Sequence, residues 1–264
     1  MTPPASPVDQ VGSHRELLER TGGDPYARWG VSTALPSPVY ALGTAAAFVR
    51  DNPRRGRRSL TVFGPAGGVE LLFIALVEAG VHQQLAVNSV SVPQSAEPVV
   101  HRHLSVSGGG DWDWMWTTTA PAATPQERRI VSLDDTTDAQ EILRFSGAHS
   151  PTAEGDPGEG ITQLWLGIRD DSGDLIGCGA MQRLASGYPH LAGITVHTAH
   201  RGRGLGRAIS AALTREAVRA DGVCTLGMYS DNDIARRVYD RLGYRTAYAW
   251  ASRRLEPQGP TRPN

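Results

Sequence analysis

The sequence predicts a mixed α/β layer built as two units, and three observations carry that prediction. At 264 residues the chain exceeds one ordinary domain, since a domain takes about 150 residues. From residue 128 onward, short β-patterned runs alternate with helical ones, the pattern of a mixed layer. Between the halves, Thr117 to Glu127 (TTTAPAATPQE) breaks both periodicities with proline and small polar residues. The expected division is a loose proline-rich segment 1–10, a mixed α/β unit 11–117, a linker 118–127, a second unit 128–256 and a tail 257–264.

In the first unit the patterns predict a helix near His14–Arg20 and strands at Ser59–Phe63, Leu85–Val92 and Val99–Val106. Val69–Glu78 reads as a helix, with Pro65, Gly67 and Gly68 before it and Gly80 after it. The second unit opens with a strand at Ile130–Leu133 and a helix at Asp138–Phe145. An acidic Gly/Pro-rich loop, Ser150–Gly160, follows. Strands Leu164–Arg169 and Leu175–Met181 are joined by the turn Asp170-Asp171-Ser172-Gly173. Leu191–His197 is another strand. A helix over Gly206–Ala220 stops at Asp221-Gly222. Thr225–Tyr229 is a strand, Asp231–Leu242 a helix ended by Gly243, and Thr246–Ser252 the last strand. No internal repeat is visible in the residues.

Composition narrows the function. The 26 basic and 27 acidic side chains leave a net charge of −1, unlike the basic excess of a nucleic-acid binder. All the basic residues are arginine, scattered along the chain as GC-rich coding would leave them. The longest uncharged apolar run, Leu71–Val77, is far short of the ~20 residues a membrane helix needs. Met1–Gln10 has proline and Asp9 where an export signal has basic and apolar blocks. Cys178 and Cys224, both in apolar runs, fit a reducing compartment better than a disulfide framework. The expectation is a cytoplasmic protein with no nucleic-acid, membrane or metal partner.

The chemistry concentrates in Ile194–Arg207, ITVHTAHRGRGLGR. A strand ends there, Gly202, Gly204 and Gly206 alternate, and a helix begins. Glycines let the backbone approach a ligand, and the helix's first N–H groups and positive dipole end suit an anion. By itself this stretch fits a pyrophosphate-binding turn and a plain glycine-rich helix start equally well. It lacks the Gly-Lys-Ser/Thr of a phosphate loop and the spacing of a dinucleotide fingerprint. Farther on, Ala235, Val238, Tyr239 and Leu242 follow helical spacing, which puts Tyr239 on the buried edge of its helix. Read alone, it is a core tyrosine.

The order R-G-x-G-x-G, helix, strand, then N-x6-Y ahead of L-G-Y resembles the acetyl-CoA-binding core of the GNAT acyltransferase superfamily. The resemblance covers the second unit and implies a GNAT fold there, with the first unit as an additional mixed α/β domain; a degenerate GNAT-like half is the alternative for that unit. By this resemblance Arg201, Gly202, Arg203, Gly204, Leu205, Gly206 and Arg207 match the pyrophosphate-binding segment. Ile194, Thr195 and Val196 match the splayed strand whose backbone holds the pantetheine arm and thioester carbonyl. Asn232 matches the residue that hydrogen-bonds the pantetheine arm, and Tyr239 the general acid for the departing thiolate. The implied activity is acetyl transfer from acetyl-CoA to a primary amine of a small-molecule acceptor, by direct attack in a ternary complex. That chemistry needs a fixed donor for the charge developing on the carbonyl oxygen and a proton for the leaving thiolate.

One departure from the family pattern stands out. The glutamate that serves as general base in many members, five residues before the asparagine, is Gly227 here. His190 and His197 have suitable chemistry but read more readily as surface or strand-end histidines, and neither is assigned. Another acyl-CoA, or a silent acyl-CoA-binding protein, remains an alternative. The other features have simpler readings. Trp112, Trp114 and Trp116 would share one strand face as core. Glu154, Asp156 and Glu159 lie in a solvated acidic loop, and Arg54, Arg55, Arg57 and Arg58 in a solvated turn. His101 and His103 would share a strand face without a third metal ligand.

Overall fold

A computed structural model describes residues 8–36 and 38–256. In chain order the elements are β1 (Asp9–Gln10), α1 (His14–Arg20), α2 (Pro25–Trp29), β2 (Val39–Leu42), β3 (Ala45–Asn52), β4 (Arg57–Phe63), α3 (Ala66–Glu78), α4 (Val81–Gln84), β5 (Ser89–Pro93), α5 (Glu97–His103) and β6 (Val106–Thr117). There follow β7 (Ile130–Leu133), α6 (Ala139–His149), β8 (Thr162–Arg169), β9 (Leu175–Arg183), β10 (Pro189–Val196), α7 (Leu205–Asp221), β11 (Cys224–Tyr229), α8 (Asp233–Arg241) and β12 (Arg245–Leu255). Residues 1–7 of the segment 1–10, and the tail 257–264, lie outside the described residues. Asp9 and Gln10, assigned by sequence to that loose segment, pair antiparallel with Ala41 and Tyr40 of β2.

The contacts group the chain into two compact units. One takes the chain up to Asp113 together with Tyr229–Asp231 and Tyr248 onward; the other takes Trp114–Met228 and Asn232–Ala247. This grouping differs from the segments 11–117 and 128–256: β6 and β12 supply residues to both units, and the stretch 118–127 falls inside the second.

In the first unit β2, β3 and β4 pair antiparallel in sequence, and β4 then pairs parallel with β5 over Ser59–Thr61 and Ser89–Ser91. The connection is α3, which buries Val69, Leu72, Phe73 and Leu76 on the sheet. Trp250–Arg254 of β12 complete the far side of β5. The β2–β3 hairpin escaped the sequence reading because Ala45, Ala46 and Ala47 have weak strand propensity. All three are fully buried. Smallness is what the site needs: a Cβ on Gly68 would lie 3.2 Å from that of Ala45, so α3 packs directly onto β3.

Two strand expectations fail here. The expected strand Val99–Val106 is helix α5 up to His103 and only then β6. Pro98 in the first turn suits a helix start, and His101, Arg102 and His103 in the last turn suit the negative dipole end. The adjacent valines that suggested a strand are buried against α3 instead. His101 and His103 thus do not share a strand face, and His101 bonds Glu97 at 3.0 Å. The expected strand Leu85–Val92 begins only at Ser89, because Ala86 takes a positive φ of 49° and closes a turn.

The second unit repeats this plan with different residues. Strands β7, β8, β9 and β10 pair antiparallel in sequence, α7 crosses, and β11 pairs parallel with β10. Both units therefore carry antiparallel strands, a helix and a parallel strand in one order, a repeat of topology with no repeat of sequence. Ile209, Leu213 and Ala217 of α7 pack with Ile168, Ile176, Leu191 and Leu226 in one apolar cluster. The helix ends at Gly222 in the left-handed conformation, as the Asp-Gly pair led us to expect.

Candidate functional site

The site forms where β10 leaves β11. Their parallel register covers only His190 with Thr225 and Leu191 with Leu226. On its other edge β10 shifts register against β9 between Ala192 and Thr195. Gly193 and Ile194 therefore lack a ladder partner on either side, and Thr195 and Val196 pair only with Cys178 and Gly177 of β9. The kink is a β-bulge with Gly193 at φ 63°, a conformation glycine adopts without strain. The sequence reading carried a regular strand straight through Gly193, although a lone glycine in a strand pattern is the usual mark of a bulge. The result is a wedge lined by backbone groups that a ligand can satisfy.

Beyond Val196 the chain makes a short helical turn, Thr198–His200, and then the glycine turn. Gly202 and Gly204 have φ of 76° and 79°, so both need the left-handed region. Gly204 is the N-cap of α7 and offers no capping side chain, which leaves the first N–H groups of a 17-residue helix open to an anion. Arg201 is committed to the turn itself: it donates to the carbonyls of Val196 and His149. Arg203 and Arg207 are exposed. Leu205 is buried and anchors the helix start in the core.

Three histidines surround this turn. The His149 and His197 rings lie 4.1 Å apart, and those of His197 and His200 5.2 Å. His197 Nδ1 accepts from the Ala199 N–H at 3.1 Å and His149 Nδ1 from the Thr198 N–H at 3.5 Å. Both acceptors exist only while Nδ1 is unprotonated. Burial, then His197 and Arg201, lower the His149 pKa. A lowered folded value means the unfolded chain binds the proton more readily. The contribution to stability is thus complete above the unfolded value near 6.5 and is lost as pH falls through the lowered folded value. We expect melting of the protein to shift down between pH 7 and pH 5, and His149→Gln to flatten that dependence. An unchanged pH profile in the variant would show that the cluster does not couple protonation to folding.

Asn232 is the N-cap of α8, its Oδ1 accepting from Ala235 N at 3.0 Å. The helix therefore starts two residues later than the sequence suggested, at Asp233. Its amide NH2 remains a donor. Tyr239 is 7% exposed and sits in the cluster that holds Leu226 and Met228, with Ile194 and Val196 packed against it. Tyr244 meets it edge-on at 5.6 Å. Burial pushes the phenol pKa to about 12, with the Ser210 hydroxyl pulling the other way. Its proton is therefore held throughout the neutral range.

Gly227 is exposed on β11 and brings no acid. His190 bonds Thr225 through Nδ1 at 3.0 Å, and His197 is occupied by the turn. Burial raises both Cys178 and Cys224 to about 12, so neither thiol is a ready nucleophile. No group of three or more metal-ligating side chains occurs among the described residues, and no helix among them is long and apolar enough to cross a membrane.

Sequence reading missed the support beneath the wedge. Trp165 is 2% exposed and donates from Nε1 to Asp135 Oδ1 at 2.7 Å. Asp135 also accepts from the backbone of Gly158 and Gly160 at 3.2 and 3.0 Å. Gly155 of the same loop is so close to Trp165 that an added Cβ would sit 2.6 Å from the indole, and 3.3 Å from Gly193 Cα. The acidic loop is thus pinned over the bulge by the Asp135 carboxylate, the Trp165 indole and Gln182, whose Nε2 donates to the Gly155 carbonyl at 2.7 Å. No local pattern marks Asp135 for this part.

Comparison with known proteins agrees with this geometry. Residues 131–244 match the family model described as the acetyltransferase (GNAT) family. An acetyltransferase from the GNAT family of Colwellia psychrerythraea is similar in fold over 95% of this chain and 100% of its own, with 14% identity and a TM-score of 0.54. A GCN5-related N-acetyltransferase from Kribbella flavida aligns over 81% and 87%, with 17% identity and a TM-score of 0.53. No curated protein matches the chain in sequence. The splayed strands, the glycine turn and the family match converge on one statement: residues 131–244 form a GNAT acetyltransferase-family domain.

Proposed function

We propose that this acyltransferase moves an acetyl group from acetyl-CoA to a primary amine of a small-molecule acceptor, by direct attack in a ternary complex. The observation that carries the reading is the wedge at Gly193–Val196, where the ladder on the β11 side ends after Leu191. The residues fit the donor. The glycine turn and the first N–H groups of α7, with Arg203 and Arg207, suit the pyrophosphate. The backbone of Ile194, Thr195 and Val196 suits the pantetheine arm, with Asn232 supplying a side-chain donor. Bound acetyl-CoA supplies an activated thioester carbonyl. A backbone N–H of the bulge then faces the oxygen on which charge develops, and Tyr239 holds a proton for the departing sulfur. Direct transfer is supported by the two thiols, both inert. With Gly227 in place of an acid, the acceptor amine loses its proton to a base elsewhere or to water, or arrives neutral.

Gly227 also favours a second reading, a silent acyl-CoA-binding protein. Incubation of the protein with acetyl-CoA and a pool of amines, with free CoA as readout, separates the two. The enzyme releases CoA with at least one amine. Thermal stabilisation by acetyl-CoA with no CoA release from any acceptor would leave only the binder. Neither stabilisation nor release would remove both.

A further inference from the structure

We infer that Thr225 sets His190 as the proton acceptor of the reaction, working on the sheet face opposite Tyr239. The inference rests on the acyl-transfer reading above and names a group for the task that Gly227 leaves open. The Thr225 hydroxyl has one proton, and it donates that proton to the Pro189 carbonyl at 2.8 Å. Toward His190 Nδ1, 3.0 Å away, the same oxygen can then only accept. The neutral imidazole therefore carries its proton on Nδ1, which puts the basic lone pair on Nε2. Thr225 is fully buried, so bulk water does not compete for either bond.

Strand alternation places this imidazole. Leu226 and Met228 point to one face of β11, where they pack with Tyr239 and α7. Thr225, Gly227 and Tyr229 point to the other. His190 bonds Thr225 and so shares the face of Gly227. Its cross-strand neighbours there are Gln182 of β9 and Thr225 of β11, neither of which titrates. Gln182 in turn holds the carbonyl of Gly155 in the acidic loop, and the titratable groups beside that glycine in the chain are two acids, Glu154 and Asp156.

His190 and Leu191 are the last residues of β10 paired with β11, so the imidazole stands at the closed end of the wedge. From His190 to Ile194 is no more than about 13 Å along a strand. An imidazole, one water and the amine nitrogen fill that span, and transfer through one water is within reach of a general base. The wedge interrupts the sheet, so a thioester carbonyl held there is open to both faces. On one face His190 Nε2 takes a proton from the neutral amine as its nitrogen bonds to the carbonyl carbon. The carbon–sulfur bond breaks with its electron pair on sulfur, and Tyr239 gives sulfur a proton from the other face. Amide and thiol result, and one proton passing through solvent from imidazolium to phenolate restores both residues.

Two measurements on the full chain test this. Nitrogen-15 NMR of the resting protein at alkaline pH should show His190 with its proton on Nδ1, and Thr225→Val should lose that preference. With an amine that releases CoA, His190→Gln should lower kcat on the order of 100-fold at unchanged acetyl-CoA affinity. It should also remove the acid limb of the rate profile in the histidine range. Thr225→Val should lower kcat by less and keep the limb, and Thr225→Ser should recover most of that loss. A wild-type His190 protonated on Nε2 overturns the inference whether or not the protein turns over. A His190→Gln variant that keeps both kcat and the limb overturns it too, as does one that loses kcat and acetyl-CoA affinity equally. Those outcomes leave the acyl-transfer reading standing. No CoA release with any amine would sink that reading, and the inference with it.

Discussion

Tyr239→Phe should lower kcat about 100-fold, at the lower end of what removal of a general acid costs, while acetyl-CoA affinity stays within about twofold. On the proposed general-acid role, the split follows from where the hydroxyl would act. In the ground state the sulfur is a thioester and needs no proton, so the phenol adds little to binding. Only as the carbon–sulfur bond breaks does the donor gain anything to stabilise. Phenylalanine keeps the ring packed against Tyr244 and the strand residues, so the fold should melt within about 1 kcal/mol of wild type. Because burial raises the phenol to about 12, Tyr239 stays protonated from pH 5 to pH 9. Any limb of the rate profile in that range must belong to another group, and it should persist in the variant. Steady-state rates and a separate binding titration check the prediction. Equal losses in kcat and in affinity would reassign Tyr239 to packing, and unchanged values for both would remove it from the mechanism.

Trp165→Ala should destabilise the protein by about 3–5 kcal/mol, the cost of emptying a buried aromatic site. The indole is almost wholly buried among Leu133, Ile142, Phe145, Leu175 and Cys178. Its removal also leaves Asp135 without one of its three donors. Two surfaces rest on it, Gly155 in the acidic loop and the bulge at Gly193. Both lose their floor together, so activity should fall even where the variant is fully folded. Trp165→Phe refills most of the volume but lacks the N–H. It should cost less than the alanine variant and loosen mainly the loop, visible as faster amide exchange at Gly158 and Gly160. Chemical denaturation compares the two. A loss below about 1 kcal/mol for the alanine variant would mean that the site collapses freely and that the loop is held elsewhere.

The second unit is largely legible in the residues themselves, and the particular elements show why. The stop of α7 at Asp221-Gly222, the end of α8 at Gly243 and the strand-turn-strand around Asp170–Gly173 are written in local chemistry, where caps and turns need specific residue types. The same holds for the glycine turn, whose positive φ values at Gly202 and Gly204 leave little choice of residue. Tyr239 was placed on a buried helix edge by spacing alone, and it is buried. The roles proposed for it and for Asn232 rest on the family resemblance, because no local pattern distinguishes a catalytic tyrosine from a core one.

What the residues hid is what depends on distant partners. The β2–β3 hairpin is made of alanines that favour a strand only because α3 presses on them. Helix α5 contains valines that look like a strand until α3 offers them a face to pack on. Arg128 and Glu127 are neighbours in sequence, yet Arg215, far along the chain, takes the acid. Asp135 and Gly155 meet only through Trp165. By itself the sequence determined the order of elements in the second unit and the glycine turn that suits an anion, because period, caps and turn chemistry are local. Tertiary structure alone decided the wedge beside Gly193, the paired versus unpaired charges and the membership of the two units. Each of those is settled by contacts between residues that no short window of sequence contains.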